Sequence, residues 1–384
     1  MKQYLLHREV FLLRFIVISV FIIFVLQFPG LSLLRIPLIL AHLILLFLLN
    51  FKLRKLNALD FIFTLLITYV VIQSFLLQEI ISLLYFLQAI ISVVLYFIFY
   101  SYCSVLLRQG IELNFHKLTK YITFFLPFFL ISFQSWSLTR SAGLLGNPNI
   151  TAHVFIMLTP FCLLIPHKIR YYILLLSIVL LGLIMFASRS AFMAFILGIV
   201  VYFTSLYFDR VKYKFSLYLF FLALVIYLSY DAVNIAIQVM SKYNYLFSNV
   251  DSRLLYLSYN GRDLIYDMAL ERLKGHELFG LGFEGAKFES EMGHILSTHN
   301  GFLELFIRIG YIGTIIFSAL LILMIYNISK TKNKYFRGAA LMGFVIILSL
   351  ATNSSTFFVF NYLFYYIIIM HSLCEYEKKI QVIY

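Results

Sequence analysis

The sequence predicts an all-α, polytopic membrane protein of about twelve transmembrane helices, and three observations carry that prediction. The 384 residues are 62% apolar and include 42 Phe. Charged residues make up only 12% of the chain, about half the share of a soluble domain. The apolar residues are also gathered into runs of about 20, the length that crosses a hydrocarbon core of roughly 30 Å. Too little polar surface is left to solvate such a chain, so lipid must be the solvent for much of it.

The runs fall at about 10–28, 32–49, 59–77, 80–102, 118–136, 150–166, 171–187, 191–208, 215–230, 302–326, 338–353 and 357–373. The first, from Val10, is followed at once by a second and has no small-residue cleavage site after Phe28. It therefore reads as a permanent helix and not a signal peptide. Residues 1–384 read as a single transmembrane domain.

A net charge of +13 does not point to nucleic acid here, because the positives sit in short clusters between apolar runs. Alternate connections collect Lys2, Arg8, Lys52, Arg54, Lys55, Arg108, Lys117, Lys120, Lys168 and Arg170 on one side. The same side takes Arg210, Lys212, Lys214, Lys330, Lys332, Lys334, Arg337, Lys378 and Lys379. Short loops on the other side, such as Pro29 to Leu31 and Gln78-Glu79, are nearly bare of positive charge. The positive-inside rule makes the basic side cytoplasmic, with both termini there. Cys103, Cys162 and Cys374 lie far apart in or beside apolar runs, so they read as inert thiols and not as a metal or redox pair.

One connection departs from this pattern. Residues 231–300, between the ninth and tenth spans, form a long extracytoplasmic loop with nine acidic residues against six basic ones. Within it, Leu264, Ile265, Met268, Ala269 and Leu273 share a helical face, with Asp263, Asp267 and Glu271 elsewhere. That periodicity predicts an amphipathic helix lying on the membrane or capping the bundle.

Arginine on the outer side needs a reason, since a charge at the bilayer centre costs roughly 2.5–3.5 kcal/mol. Arg35, Arg140, Arg189, Arg262 and Arg308 all fall at or near outer helix ends. A guanidinium grips phosphate oxygens in a planar fork, whereas the bland alternative is a headgroup anchor or an ion pair. Arg308 lies four residues after Glu304, which favours a salt bridge on one helix face. Arg35 reads as a headgroup anchor. Arg189, held in the three-residue turn Ser188-Arg189-Ser190, is the stronger ligand candidate, with Arg140 and Arg262 beside it. His299, at the outer start of the tenth span, is the natural proton-transfer group. No second His or Cys stands at metal-ligand spacing from it, and no metal or cofactor is expected. Gly280-Leu281-Gly282-Phe283-Glu284-Gly285 fits a dinucleotide fingerprint, but no strand precedes it and it lies outside the cytoplasm. Flexible loop glycines are the expected explanation.

Taken together, the motifs resemble the O-antigen ligase and polysaccharide polymerase superfamily of bacterial membrane glycosyltransferases. The most specific piece is His299-Asn300, then nine residues, then Gly310-Tyr311-Ile312-Gly313. Gly143-Leu144-Leu145-Gly146-Asn147-Pro148-Asn149, Ala187-Ser188-Arg189-Ser190-Ala191, and Gly261-Arg262 with the helix behind it support the likeness in motif order over roughly 140–320. The resemblance implies an inverting, metal-independent glycan transfer from undecaprenyl diphosphate on the outer face of the bacterial cytoplasmic membrane. It makes a chain-length regulator and a flippase candidate partners. On this reading Arg189, Arg262 and Arg140 clamp the diphosphate and His299 activates the acceptor hydroxyl. Asn300, Glu304, Arg308, Gly310 and Gly313 support them, the glycines by letting helices approach closely.

Polymerases of repeat units are favoured over ligases that use lipid A-core, since such chains are typically this variable and aromatic-rich. A lipid-linked sugar transporter is the remaining alternative. Against it, the large loop is outer and late, and no pair of matched broken helices marks two halves. A metal-dependent lipid-linked glycosyltransferase fails, because the first outer loop, Pro29 to Leu31, carries no acid.

Overall fold

The computed structural model describes residues 58–76, 115–130, 148–186, 188–207, 262–282, 287–289, 295–297, 300–351 and 370–378. Its first helix, α1, is Ala58–Leu76. Helix α2 is Phe115–Phe125 and tightens into the 3-10 turn Leu126–Leu130, where Pro127 cannot supply the N–H that would continue the α pattern. Helix α3, Pro148–Cys162, starts on a proline, whose missing N–H costs nothing at a first helical position. Helices α4 (Ile169–Phe186) and α5 (Arg189–Tyr207) follow, then α6 (Arg262–Leu273) in the long loop. Helices α7 (Gly301–Ser329) and α8 (Lys334–Ala351) come next, and residues 370–378 are also helical.

These helices coincide with the expected spans at 59–77, 150–166, 171–187, 191–208, 302–326 and 338–353, and with the first part of 118–136. The expected spans at 10–28, 32–49, 80–102, 215–230 and most of 357–373 lie outside the described residues, as do Arg35 and Cys103. Among the described residues, α4, α5, α7 and α8 are long and apolar enough to cross a membrane. An all-α description needs one addition. Strands β1 (Lys287–Glu289) and β2 (Ile295–Ser297) pair antiparallel, with Phe288 opposite Leu296. Three-residue strands carry too little alternation to announce themselves.

The core sits around two helices buried on every side. All residues from Thr151 to Cys162 of α3 and from Phe336 to Ala351 of α8 are buried. A helix apolar all round has its neighbours on all faces: α8 lies along α5 and also meets α3 and α7. By contrast, α4 buries the stripe Leu175, Val179, Leu183 and Phe186 while Ile169, Ile173, Leu174 and Ile184 face outward. That is the pattern of a peripheral helix with lipid on its far side.

Side-chain bonds tie one end of the bundle together. Tyr202 of α5 donates to the Leu163 carbonyl just past α3 (3.2 Å), and Thr119 of α2 donates to the Phe161 carbonyl (3.2 Å). Arg337, almost wholly buried at the start of α8, donates to Ser205 Oγ (3.2 Å), the Ser205 carbonyl (3.2 Å) and the Thr331 carbonyl (2.8 Å). The segments joined here carry Lys120, Lys168, Arg170, Lys330, Lys332 and Lys334, so basic clusters that alternate along the chain converge in space. A buried guanidinium is tolerated only with acceptors around it. Replacing it with a shorter apolar side chain strands three acceptors and leaves a void, so Arg337→Leu should cost about 3–5 kcal/mol, read as a lowered melting temperature of the detergent-solubilised protein.

Candidate functional site

Both α5 and α7 finish at the basic end, through Ser205 and Thr331, so both begin at the opposite end. Helix α5 has 19 residues, roughly 28 Å at 1.5 Å per residue. Its start is fixed by side chains. The Ser188 carbonyl accepts the Phe192 N–H (3.0 Å), which makes Ser188 the cap. Arg189 is therefore the first helical residue and not the middle of a free turn, and only Ala187 and Ser188 separate α4 from α5. Ser190 Oγ sits 3.1 Å from Nε2 of His153 in α3 and 3.5 Å from Ser188 Oγ. His153 is buried and was absent from the sequence expectation. The signal that could have found it is a lone ionisable side chain inside an apolar run, which is expensive unless it has a task.

The start of α7 is capped as its sequence suggests. Asn300 Oδ1 accepts the N–H groups of Phe302 (3.1 Å) and Leu303 (3.2 Å). Asn300 thus has a structural occupation that fixes the chain one residue after His299. Helix α6 packs on the outer part of α7 through Ala269, which meets Ile307 with Leu281 and Leu303 around them. Met268, expected on the buried face of α6, is exposed, whereas Ala269 and Leu273 are buried. The partner surface, not the average polarity of the helix, selects the face. Helix α6 and the outer part of α7 both run towards residues 308–311, where the chain after α6 meets α7. They also touch along the way, at Ala269 and Ile307.

At Gly310 helix α7 breaks. Gly310 has φ 60° and ψ −167°, a conformation that costs an L side chain dearly. The backbone groups freed by the break are taken up by the loop that follows α6. Leu281 and Gly282 donate to the carbonyls of Ile307 (2.7 Å) and Arg308 (3.0 Å), while Tyr311 and Ile312 donate to those of Glu277 (2.8 Å) and Leu278 (3.2 Å). Gly280, at φ 78°, lies against the break: a Cβ there would stand 2.5 Å from the Arg308 carbonyl oxygen and 2.6 Å from the Gly310 nitrogen. The glycine run is therefore a fitted joint and not a flexible loop. Glu277, half-buried in this segment, has its carboxyl held below the ordinary range by the N–H groups of Glu277 itself and Gly275.

Two side chains of α1 complete the joint. Tyr69 Oη donates to the Ile309 carbonyl (2.7 Å) and lies 3.0 Å from the Phe279 carbonyl. Gln73 Nε2 donates to the Arg308 carbonyl (2.6 Å) and to that of Phe279. Gly313 makes room for the Tyr69 ring, since a Cβ there would stand 2.8 Å from Cε1 of Tyr69. The two glycines of the His-Asn motif thus have different roles, one a break and one a seat. Glu304 and Arg308 form the expected ion pair, and both side chains are nearly buried. Strand β2 ends at Ser297, two residues before His299 in the sequence. Arg140 and His299 themselves, and the side chains of Arg189 and Arg262, lie outside the described residues.

Residues 173–318, from α4 into α7, match the O-antigen ligase family. That match supports the likeness of the chain to the O-antigen ligase and polysaccharide polymerase superfamily. It also supports glycan transfer of the ligase or polymerase type in general. No curated protein matches the chain. The matched segment holds Arg189, Arg262, His299 and the whole joint at Gly310 except for Tyr69 and Gln73, which α1 supplies from outside it.

Two stability measurements check this geometry. Gly275 and Gly280 both have positive φ, but nothing lies within 4 Å of a Cβ at Gly275. Gly275→Ala should cost about 1 kcal/mol of strain, whereas Gly280→Ala, which collides with backbone, should cost several times more and lower the melting temperature accordingly. Arg308→Ala should destabilise by about 3–5 kcal/mol by leaving Glu304 buried without its cation. Adding Glu304→Gln should restore part of that loss.

Proposed function

We propose that this protein is a polysaccharide repeat-unit polymerase of the bacterial cytoplasmic membrane, with about twelve spans and cytoplasmic termini. It transfers glycan from undecaprenyl diphosphate to an acceptor sugar on the outer face, inverting the anomeric centre without a metal. The observation that carries this reading is the common placement of two helix starts. Those of α5 and α7, where Arg189 and the His299-Asn300 pair fall in the sequence, lie at the end of the bundle opposite the basic loops, and α6, which begins at Arg262, packs on α7 through Ala269 and Ile307.

The chemistry follows from what such an end can supply. The acceptor hydroxyl oxygen attacks the anomeric carbon while the bond to the diphosphate oxygen breaks. A diphosphate leaves with its electron pair, so the chief demand is stabilisation of developing negative charge. Arginine offers a permanent charge and a planar fork for that purpose. The first turn of a helix adds backbone N–H groups and the positive end of its dipole, which suits a capped α5 beginning on Arg189. Arg262 and Arg140 complete the clamp. His299 takes the proton of the attacking hydroxyl, held in place by the Asn300 cap directly after it. His153 fixes the first turn of α5 through Ser190.

A polyprenyl donor arrives sideways through the bilayer, so a site at one membrane face suits it better than a closed central cavity. His299→Ala and Arg189→Ala should each lower glycan transfer in membranes at least 100-fold with normal protein levels, in the range for loss of a general base or a charge-stabilising group. Undiminished transfer removes that residue from the mechanism. In the native host, loss of a polymerase leaves single repeat units attached to their acceptor. Loss of attachment altogether would assign the chain to the ligases instead.

A further inference from the structure

The joint at Gly310 contains more donors than its backbone alone would provide, and they come from a helix far away in sequence. Tyr69 and Gln73 stand one turn apart on α1 and reach the carbonyls of Phe279, Arg308 and Ile309. Both acceptors facing the Gln73 amide are carbonyls, so the nitrogen is the atom turned towards them. Gln73 is only 4% exposed. An apolar residue would pack α1 against α7 without the desolvation of an amide, so mere helix contact does not account for it. What the pair does is join two stretches of chain, since Phe279 follows Arg262 and the other two carbonyls follow His299.

The geometry behind α7 makes that join consequential. Its outer part, residues 301–309, is roughly 13 Å long at 1.5 Å per residue. A helix of so few turns has little stability of its own, so its direction is set by what holds its ends. One end has the Asn300 cap and the other has the joint. A tilt of about 5° at the joint moves the Asn300 end by about 1 Å over that length. An error of 1 Å in a reacting group is enough to cost about 100-fold in rate.

We propose that Tyr69 and Gln73 are positioning residues for glycan transfer: they set the direction of the outer half of α7, and through it the place of His299 relative to the Arg262 segment. The inference rests on the catalytic reading above but concerns a different helix. It makes α1 part of the machinery although it lies outside the matched segment, and it assigns the broken helix a function beyond topology.

The test uses the full-length chain in membranes, with a polyprenyl-diphosphate-linked glycan as donor and rates normalised to folded protein. The Tyr69→Phe/Gln73→Leu protein should lose on the order of 100-fold in kcat with donor KM changed less than about 3-fold. Tyr69→Phe alone, which removes one hydroxyl, should fold normally and lose about 10-fold. A second readout needs no activity. Leu278→Cys/Ile312→Cys, placed across the joint, should be bridged by a short bifunctional thiol reagent in the parent, and that bridging should fall when Tyr69 and Gln73 are replaced. Normal turnover in the double variant, or bridging unchanged, overturns the proposal. So does a loss confined to KM. Undiminished transfer by His299→Ala sinks the catalytic reading on its own, in a protein where the joint is untouched, so the two failures are told apart.

Discussion

A helix inside a membrane can be broken only where its freed backbone groups find partners within the protein, and this constraint organises the outer half of the molecule. Water is absent from the hydrocarbon region, and each orphaned N–H or C=O there costs several kcal/mol. At Gly310 the break is met by four backbone bonds from the 277–282 loop and by donors from Tyr69 and Gln73. Remove the break and the loop has nothing to bind. Remove the loop and the break has no reason to persist. The chain from α6 to α7 is therefore a single fitted unit.

The same economy governs charge. Arg337 is buried among three acceptors at the basic end, and Arg308 is paired with Glu304 beside the break. Both guanidiniums are occupied by structure. An arginine held by acceptors of its own protein has little to offer a diphosphate, so neither is a candidate for the clamp.

The glycosyltransferase reading gains coherence from this division. The basic end holds the helices together through Ser205, Thr331 and Leu163, whereas the far end has the capped starts of α5 and α7 and, along α7, a joint fixed by hydrogen bonds. Rigidity there is what electrostatic catalysis needs, since donors that are already in place pay no reorganisation when charge develops. His153 and the α1 pair belong to this supporting layer. They touch the backbone or caps of the segments that carry the candidate residues.

Much of this was legible in the amino-acid sequence. Apolar runs of membrane-crossing length located α1, α3, α4, α5, α7 and α8 to within a few residues, because the cost of exposing polar groups to lipid leaves few alternatives. The alternation of basic loops anticipated which segments converge at one end, and the spacing of Glu304 and Arg308 anticipated their ion pair. The tertiary structure alone decided the rest. It placed Arg189 on the first turn of α5, buried Ala269 while leaving Met268 of the same expected face exposed, and made a joint of Gly280 and Gly310. It also brought Tyr69 and Gln73 to carbonyls more than 200 residues away. Periodicity reports only which face of an element is apolar. Which backbone groups a break sets free, and which distant side chains satisfy them, depends on contacts that no local pattern encodes.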